Sequence, residues 1–158
     1  MFVCTPRVKI ALWNMTESKI RRASASDATA IARLLDQLGY PTTDDDVPRR
    51  LDRMIVDGRT RVLLAERDKK VVGLATVHIL SVLNRPRDVA WLTLLVVDEA
   101  ARGTGVGRRL VDAVEDFARQ SGCERLSVTT HKDRTDACAF YIRVGLEQTG
   151  SRFGKMLT

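Results

Sequence analysis

Three stretches of this sequence carry residue types at spacings that suit chemistry. The first is Arg102-Gly103-Thr104-Gly105-Val106-Gly107-Arg108-Arg109, in which glycines alternate and two arginines follow. Glycine has no Cβ, so a bulky anion can approach its main chain closely. The apolar repeat Val106, Leu110, Val114 and Phe117 then marks a helix, and a helix start offers phosphate unpaired N–H groups and partial positive charge. Arg108 and Arg109 fall in the first helical turn, where the dipole disfavours each cation by about 0.3–1 kcal/mol unless an anion compensates. A polyphosphate resolves that conflict. An ordinary tight turn, with the arginines paired to Asp98, Glu99 or Asp112, resolves it equally well. The second stretch, Asp136-Ala137-Cys138-Ala139-Phe140-Tyr141-Ile142-Arg143-Val144-Gly145-Leu146, reads as a short helix that Asp136 caps and Gly145 ends. Its Tyr141 has a phenol of pKa about 10, which keeps its proton at neutral pH and can donate to a developing anion. Helical spacing puts Ala137, Phe140 and Val144 on a core face and turns Tyr141 toward a different surface. The third is the polar loop 130–135 with His131, which together with His78 gives the side chains that titrate near neutrality. His78, inside an apolar run with Thr76, reads as a core residue. His131 is the better-placed proton acceptor, although a solvated loop residue is its plainer reading.

The spacing of the glycines separates the ligands that such a loop could take. A Walker loop needs a lysine and a hydroxyl at its end, and this segment has no lysine. The dinucleotide pattern G-x-G-x-x-G would need glycine at Arg108 counting from Gly103, or at Leu110 counting from Gly105. What remains is R-x-x-G-x-G, formed by Arg102, Gly105 and Gly107, between an apolar strand and an amphipathic helix. This resembles the acetyl-CoA-binding motif of the GNAT superfamily of N-acetyltransferases, [Q/R]-x-x-G-x-[G/A]. The segment from Asp136 to Leu146 resembles the same family's second motif, which ends F-Y-x-x-x-G-F. The resemblance implies that acetyl-CoA is the cosubstrate. It assigns the pyrophosphate to Arg102, Gly103, Thr104, Gly105, Val106, Gly107 and Arg108, and the pantetheine arm to the main chain of Leu95, Val96 and Val97, with Asp136 as a further cofactor contact. It makes Tyr141 the general acid beside the CoA sulfur. Many members carry a glutamate as base where this chain has Thr93, which cannot take a proton; His131 is then the first candidate base, with His78, water, or an amine bound already neutral as the alternatives. The expected reaction is direct attack by a primary amine of a small molecule or peptide in a ternary complex. Thr93 also motivates a different reading, a catalytically silent CoA-binding regulatory module. A ping-pong route through Cys138 lacks an adjacent activating base.

Those residues need elements to position them. Residues 91–97, WLTLLVV, form a β-branched and apolar run ending abruptly at Asp98-Glu99, which suits a central strand leading straight into the glycine loop. Before it come a strand at 19–23, a helix that Ser26-Asp27 caps and Gly39 stops, a second helix entered at 42–46, and two alternating strands at 61–66 and 71–82 joined by Arg67-Asp68-Lys69-Lys70. After it come a helix over 105–120, a strand at 125–130, the short helix, and two final strands at 146–149 and 152–157. The order β-α-α-β-β-β-α-β-α-β-β predicts an α/β fold with a mixed sheet, and it matches the GNAT-like acyl-CoA N-acyltransferase fold over residues 18–158. Residues 1–17 read as an N-terminal extension that fits no signal peptide, with Met15 as an alternative start and Ile10, Leu12 and Trp13 as packing residues. A chain of 158 residues suits one domain, and no run approaches the roughly 18 apolar residues of a membrane span. The charge of +6 could suggest nucleic acid, but basic residues are interspersed with acids and only 5% of residues are aromatic, so neither nucleic acid nor membrane is the expected partner. Cys4, Cys123 and Cys138 are widely spaced, which points to a reducing cytoplasm, no disulfide and no metal site. The expected assembly is a monomer or a homodimer paired through the C-terminal strands.

Overall fold

The computed structural model describes residues 18–56, 58–131 and 133–157. The extension 1–17 expected from the sequence lies outside the described residues. Five strands form one sheet in chain order: β1 (Lys19–Arg22), β2 (Thr60–Arg67), β3 (Lys70–Leu80), β4 (Val89–Val97) and β5 (Arg125–Val128). Neighbours are antiparallel except β4 and β5, which run parallel and therefore need a crossover helix. That helix is α3 (Val106–Gln120). Asp68 and Lys69, both left-handed at φ 49° and 61°, close the β2–β3 hairpin in two residues.

The two faces of the sheet bury different helices. On one face α1 (Ala28–Gln37) and α2 (Asp46–Ile55) press Ile31, Leu34, Val47 and Leu51 onto Val62, Leu64, Leu74 and Val96. On the other, α3 buries Leu110, Val111 and Val114 completely against Ala75, Val77 and Leu92. Each such side chain contributes about 1.5–3 kcal/mol. The fit over β3 is close, because a Cβ on Gly73 would stand 2.9 Å from Leu110 Cδ1. A single three-residue turn, Ala25–Asp27, leads into α1 through a capping box in which Ser24 and Asp27 bond reciprocally. Arg21 then clamps this corner, giving two bonds to Asp27 (2.7 and 2.9 Å) and one to Glu66 on β2 (2.7 Å).

Three sequence expectations need correction. Residues 146–157 hold no strand, and Phe153, Met156 and Leu157 are 94%, 86% and 90% exposed. Whatever its propensity, a strand needs a neighbour to complete its ladder. The side-chain bond from Arg125 to Thr149 does not provide one. The C-terminal strands that would have paired a homodimer are therefore not formed. Asp136 does not cap the last helix: α4 spans Thr135–Arg143 with Arg134 at the N-cap, and Asp136 lies in its first turn. The fifth strand stops at Val128, two residues earlier than the sequence pattern suggested. No helix among the described residues is long and apolar enough to cross a membrane.

Candidate active site

The early end of β5 opens a gap. β4 pairs with β5 only from Val89 to Leu92, opposite Arg125 to Val128, yet stays paired with β3 as far as Val97. Residues 93–97 thus keep one main-chain edge free of strand partners. At the start of that free edge the β3–β4 register slips: Val77 lies opposite Leu92 and Thr76 opposite Leu94, so Thr93 is an extra residue. A bulge of this kind reverses the alternation beyond it. Ala90 and Leu92 face α3, whereas after the bulge Leu95 and Val97 do so and Leu94 and Val96 face α1 and α2. The Thr93 hydroxyl donates to the Thr76 carbonyl at 3.3 Å.

The free edge runs into the glycine loop. Gly103 and Gly105 are left-handed at φ 72° and 86°, and a Cβ at either would meet no atom within 4 Å. Their surroundings are open, as close approach by an anion requires. Gly105 is the N-cap of α3, and the bond from Arg109 N to its carbonyl (3.1 Å) closes the first turn. Gly107 differs: a Cβ there would lie 3.2 Å from the Phe140 ring and 3.6 Å from Val97 Cγ2. Its smallness serves packing among β4, α3 and α4, not approach by an anion. Arg102 donates from Nε to the Val97 carbonyl (3.2 Å) and pairs with Glu99, while Arg108 pairs with Asp112 at 3.0 Å. The Arg108 pair is one that the plainer sequence reading offered, and the Arg102 pair is an addition to it. Both are exposed, so each contributes about 0–1 kcal/mol and yields readily to a phosphate.

On α4 the Phe140 and Tyr141 rings meet edge to face, 5.4 Å between centroids. Both pack on the α3-side core, so Tyr141 shares the face of Phe140 more than helical spacing suggested. Burial pushes its hydroxyl above the ordinary tyrosine range, with Arg134 opposing. His131 stands in the exposed loop after β5, its Nδ1 3.1 Å from a carboxylate oxygen of Asp133. Because β4 and β5 are parallel, this loop and the glycine loop leave the same end of the sheet, where open α/β sheets bind ligands. His78 is not a core residue: it is half-buried, and its Nδ1 is 3.0 Å from the Thr60 hydroxyl. It belongs to a row that the sequence reading missed, Thr60–His78–Trp91–Ser127, whose members lie opposite one another across four strands on the face of α1 and α2. Alternation put His78 and Thr76 on one face, but only the register between strands brings Trp91 and Ser127 beside them.

The model of the Acetyltransferase (GNAT) family matches residues 28–146, most of the chain. The chain belongs to this family. It is an N-acetyltransferase, and its reaction is acetyl transfer to an amine. It is 30% identical over 148 residues to the aminoalkylphosphonate N-acetyltransferase of Salmonella typhimurium strain LT2, covering 90% of this chain and 94% of that one. To the aminoglycoside N(6')-acetyltransferase type 1 of Stenotrophomonas maltophilia it is 32% identical over 134 residues, covering 82% and 86%. Its fold superposes on a solved Bacillus halodurans C-125 transcriptional regulator with a TM-score of 0.83 at 22% identity, over 89% of this chain and all of that one. The mixed sheet of this acetyltransferase is thus that of its family, and GNAT enzymes generally take their acetyl group from acetyl-CoA.

Proposed function

We propose that this acetyltransferase binds acetyl-CoA with the pantetheine arm along the main chain of Leu95, Val96 and Val97 and the pyrophosphate on residues 102–108. The acetyl group passes to a primary amine of a small molecule or peptide by direct attack in a ternary complex. The observation that carries this reading is the free edge of β4 beyond Leu92, which one short turn, Glu99–Ala101, links to an open glycine loop. An unpaired strand edge suits an extended chain of amides, and the loop with the α3 start suits a diphosphate. Bound there, acetyl-CoA supplies the thioester. The β4 N–H groups polarise its carbonyl, and holding amine and thioester together provides most of the acceleration. Tyr141 gives its proton to the departing thiolate. His131, whose ring lies beside Asp133, accepts the amine proton on its imidazole, and Asp136 contributes a cofactor contact from the first turn of α4. Half-buried Cys123 and Cys138 remain thiols in this scheme, in keeping with a cytoplasmic setting.

The relatives' acceptors, an aminoalkylphosphonate and an aminoglycoside, name the first amines to try. The test begins with thermal unfolding in acetyl-CoA, CoA and NAD in parallel. A ligand at a hundredfold excess over its Kd adds about 2.7 kcal/mol to native stability. A shift with acetyl-CoA and CoA but not NAD, followed by thiol release in the presence of one of these amines, is expected. No shift with either CoA form would reduce the loop to a turn and overturn the reading. A shift without thiol release across an amine panel would return the chain to CoA binding alone.

A further inference from the structure

Many arginines of this protein are paired with carboxylates: Arg21 with Asp27 and Glu66, Arg33 with Asp98, Arg102 with Glu99, Arg108 with Asp112. Arg67 is placed differently. It is the last residue of β2, and its Nη2 donates to the Thr104 hydroxyl at 2.7 Å, in the middle of the glycine loop. That hydroxyl passes its own hydrogen to the Ala101 carbonyl at 2.6 Å. Arg67 Nε is buried with no hydrogen-bond partner. The cation is therefore held behind the loop by one directed bond, and no carboxylate of a described residue forms an ion pair with it.

The loop has little else to fix its middle. Side-chain packing contributes nothing at Gly103 or Gly105, whose Cβ positions are open. Arg102 straps the start of the loop to Val97, and the Arg109–Gly105 bond fixes its end. Thr104 stands between two left-handed glycines, the residues with most conformational freedom to lose. A loop ordered only by its ligand would spend part of the binding energy on that ordering.

We infer that Arg67 is a positioning residue for the donor site, latching Thr104 so that the N–H groups of the glycine loop are aimed at an anion before it arrives. The latch also leaves the charge of Arg67 unneutralised behind the site. This inference rests on the loop being the pyrophosphate cradle. Hydrogen bonds that involve a charged group typically contribute about 1.5–3 kcal/mol, and this one is exposed, which places it at or below the lower end. A loss of about tenfold in CoA affinity is expected on breaking it, equivalent to ~1.4 kcal/mol.

Calorimetric titration with CoA and with pantetheine, which lacks the diphosphate, tests the latch without an acceptor amine. The proteins are wild type, Arg67→Met, Thr104→Val and the double variant, with thermal unfolding of each free protein as the control for fold. Both single variants are expected to lose about tenfold for CoA and nothing for pantetheine, and the double variant to lose no more than either one, as for two members of one contact. Equal weakening toward both ligands, additive losses, or unchanged CoA affinity would each overturn the latch while leaving the cradle in place. A wild type that binds CoA no better than pantetheine would overturn the cradle, and the latch with it.

Discussion

Tyr141 has two properties that suit a proton donor. Burial holds its phenol protonated well into the alkaline range, and the edge contact with Phe140 limits where the ring can turn. Replacing it with phenylalanine keeps the ring contact and removes only the hydroxyl. Tyr141→Phe should lower kcat by about 100-fold or more, the usual size of a general-acid contribution, and leave the KM for acetyl-CoA nearly unchanged. Steady-state kinetics with a productive amine decide this, and an undiminished kcat would remove Tyr141 from the role. Asp27 shows what a single residue adds to stability. Its carboxyl is held at about 2, first by the Arg21 guanidinium and then by the Ser24 backbone and hydroxyl. A carboxylate depressed in the folded state stabilises above its unfolded pKa, near 3.8 here, and loses that contribution as pH falls toward 2. With Arg21 partly open to solvent, the contribution is ~1 kcal/mol. Asp27→Asn should therefore lower Tm at pH 6, with the gap to wild type closing as the pH approaches 2.5. A gap independent of pH would contradict the assignment.

At the scale of elements, β4, α3 and α4 meet at Gly107, so in the proposed mechanism donor binding and proton donation share one junction. Alanine normally favours a helix over glycine by about 0.5–1 kcal/mol, but here its methyl would press on the Phe140 ring at 3.2 Å. Gly107→Ala should displace Phe140 and with it Tyr141, so that kcat falls by a larger factor than CoA affinity. Gly105→Ala has open space but a φ of 86°, and should cost about 1–2 kcal/mol of stability through backbone strain alone. Kinetics beside CoA titration and thermal unfolding separate the two, and equal losses in both measurements for Gly107→Ala would argue against the coupling. The strand, glycine loop and helix were legible in the sequence because they are contiguous: the apolar run, Gly103-Thr104-Gly105 and the Val106, Leu110, Val114 repeat carry their own periods. The bulge at Thr93 was not legible, since an extra residue is visible only against a partner strand. For the same reason Gly107 was read as room for an anion: Phe140, its neighbour, is distant in the chain. Arg67 resembled any polar residue at a hairpin end. The last two strands were drawn from short runs either side of Gly150, and such runs do not show that a neighbouring strand is there to pair with.

The molecule as a whole joins its strands in spatial order, so that β2, β3 and β4 form a meander of consecutive hairpin partners. Outside the meander, β1 meets β2 only across α1 and α2, and β5 must wait for the crossover through α3 before it can find β4. Short-range pairings close their loops at the smallest entropic cost and tend to form early. The meander is therefore the natural first product of folding, and the parallel strand with α4 the last addition. The gap beside β4, Tyr141 and the His131 loop all belong to that late-arriving part. In the proposed binding mode acetyl-CoA bridges the early and the late parts, and it should accordingly act on unfolding and leave folding alone: the refolding rate in stopped-flow experiments should not change with ligand, while the unfolding rate falls. Amide exchange should follow the same division, slowest in the β2–β4 meander and slowed by ligand chiefly in β5 and α4. The part of the enzyme that does the chemistry would then also be the part whose persistence depends on the supply of its own cosubstrate.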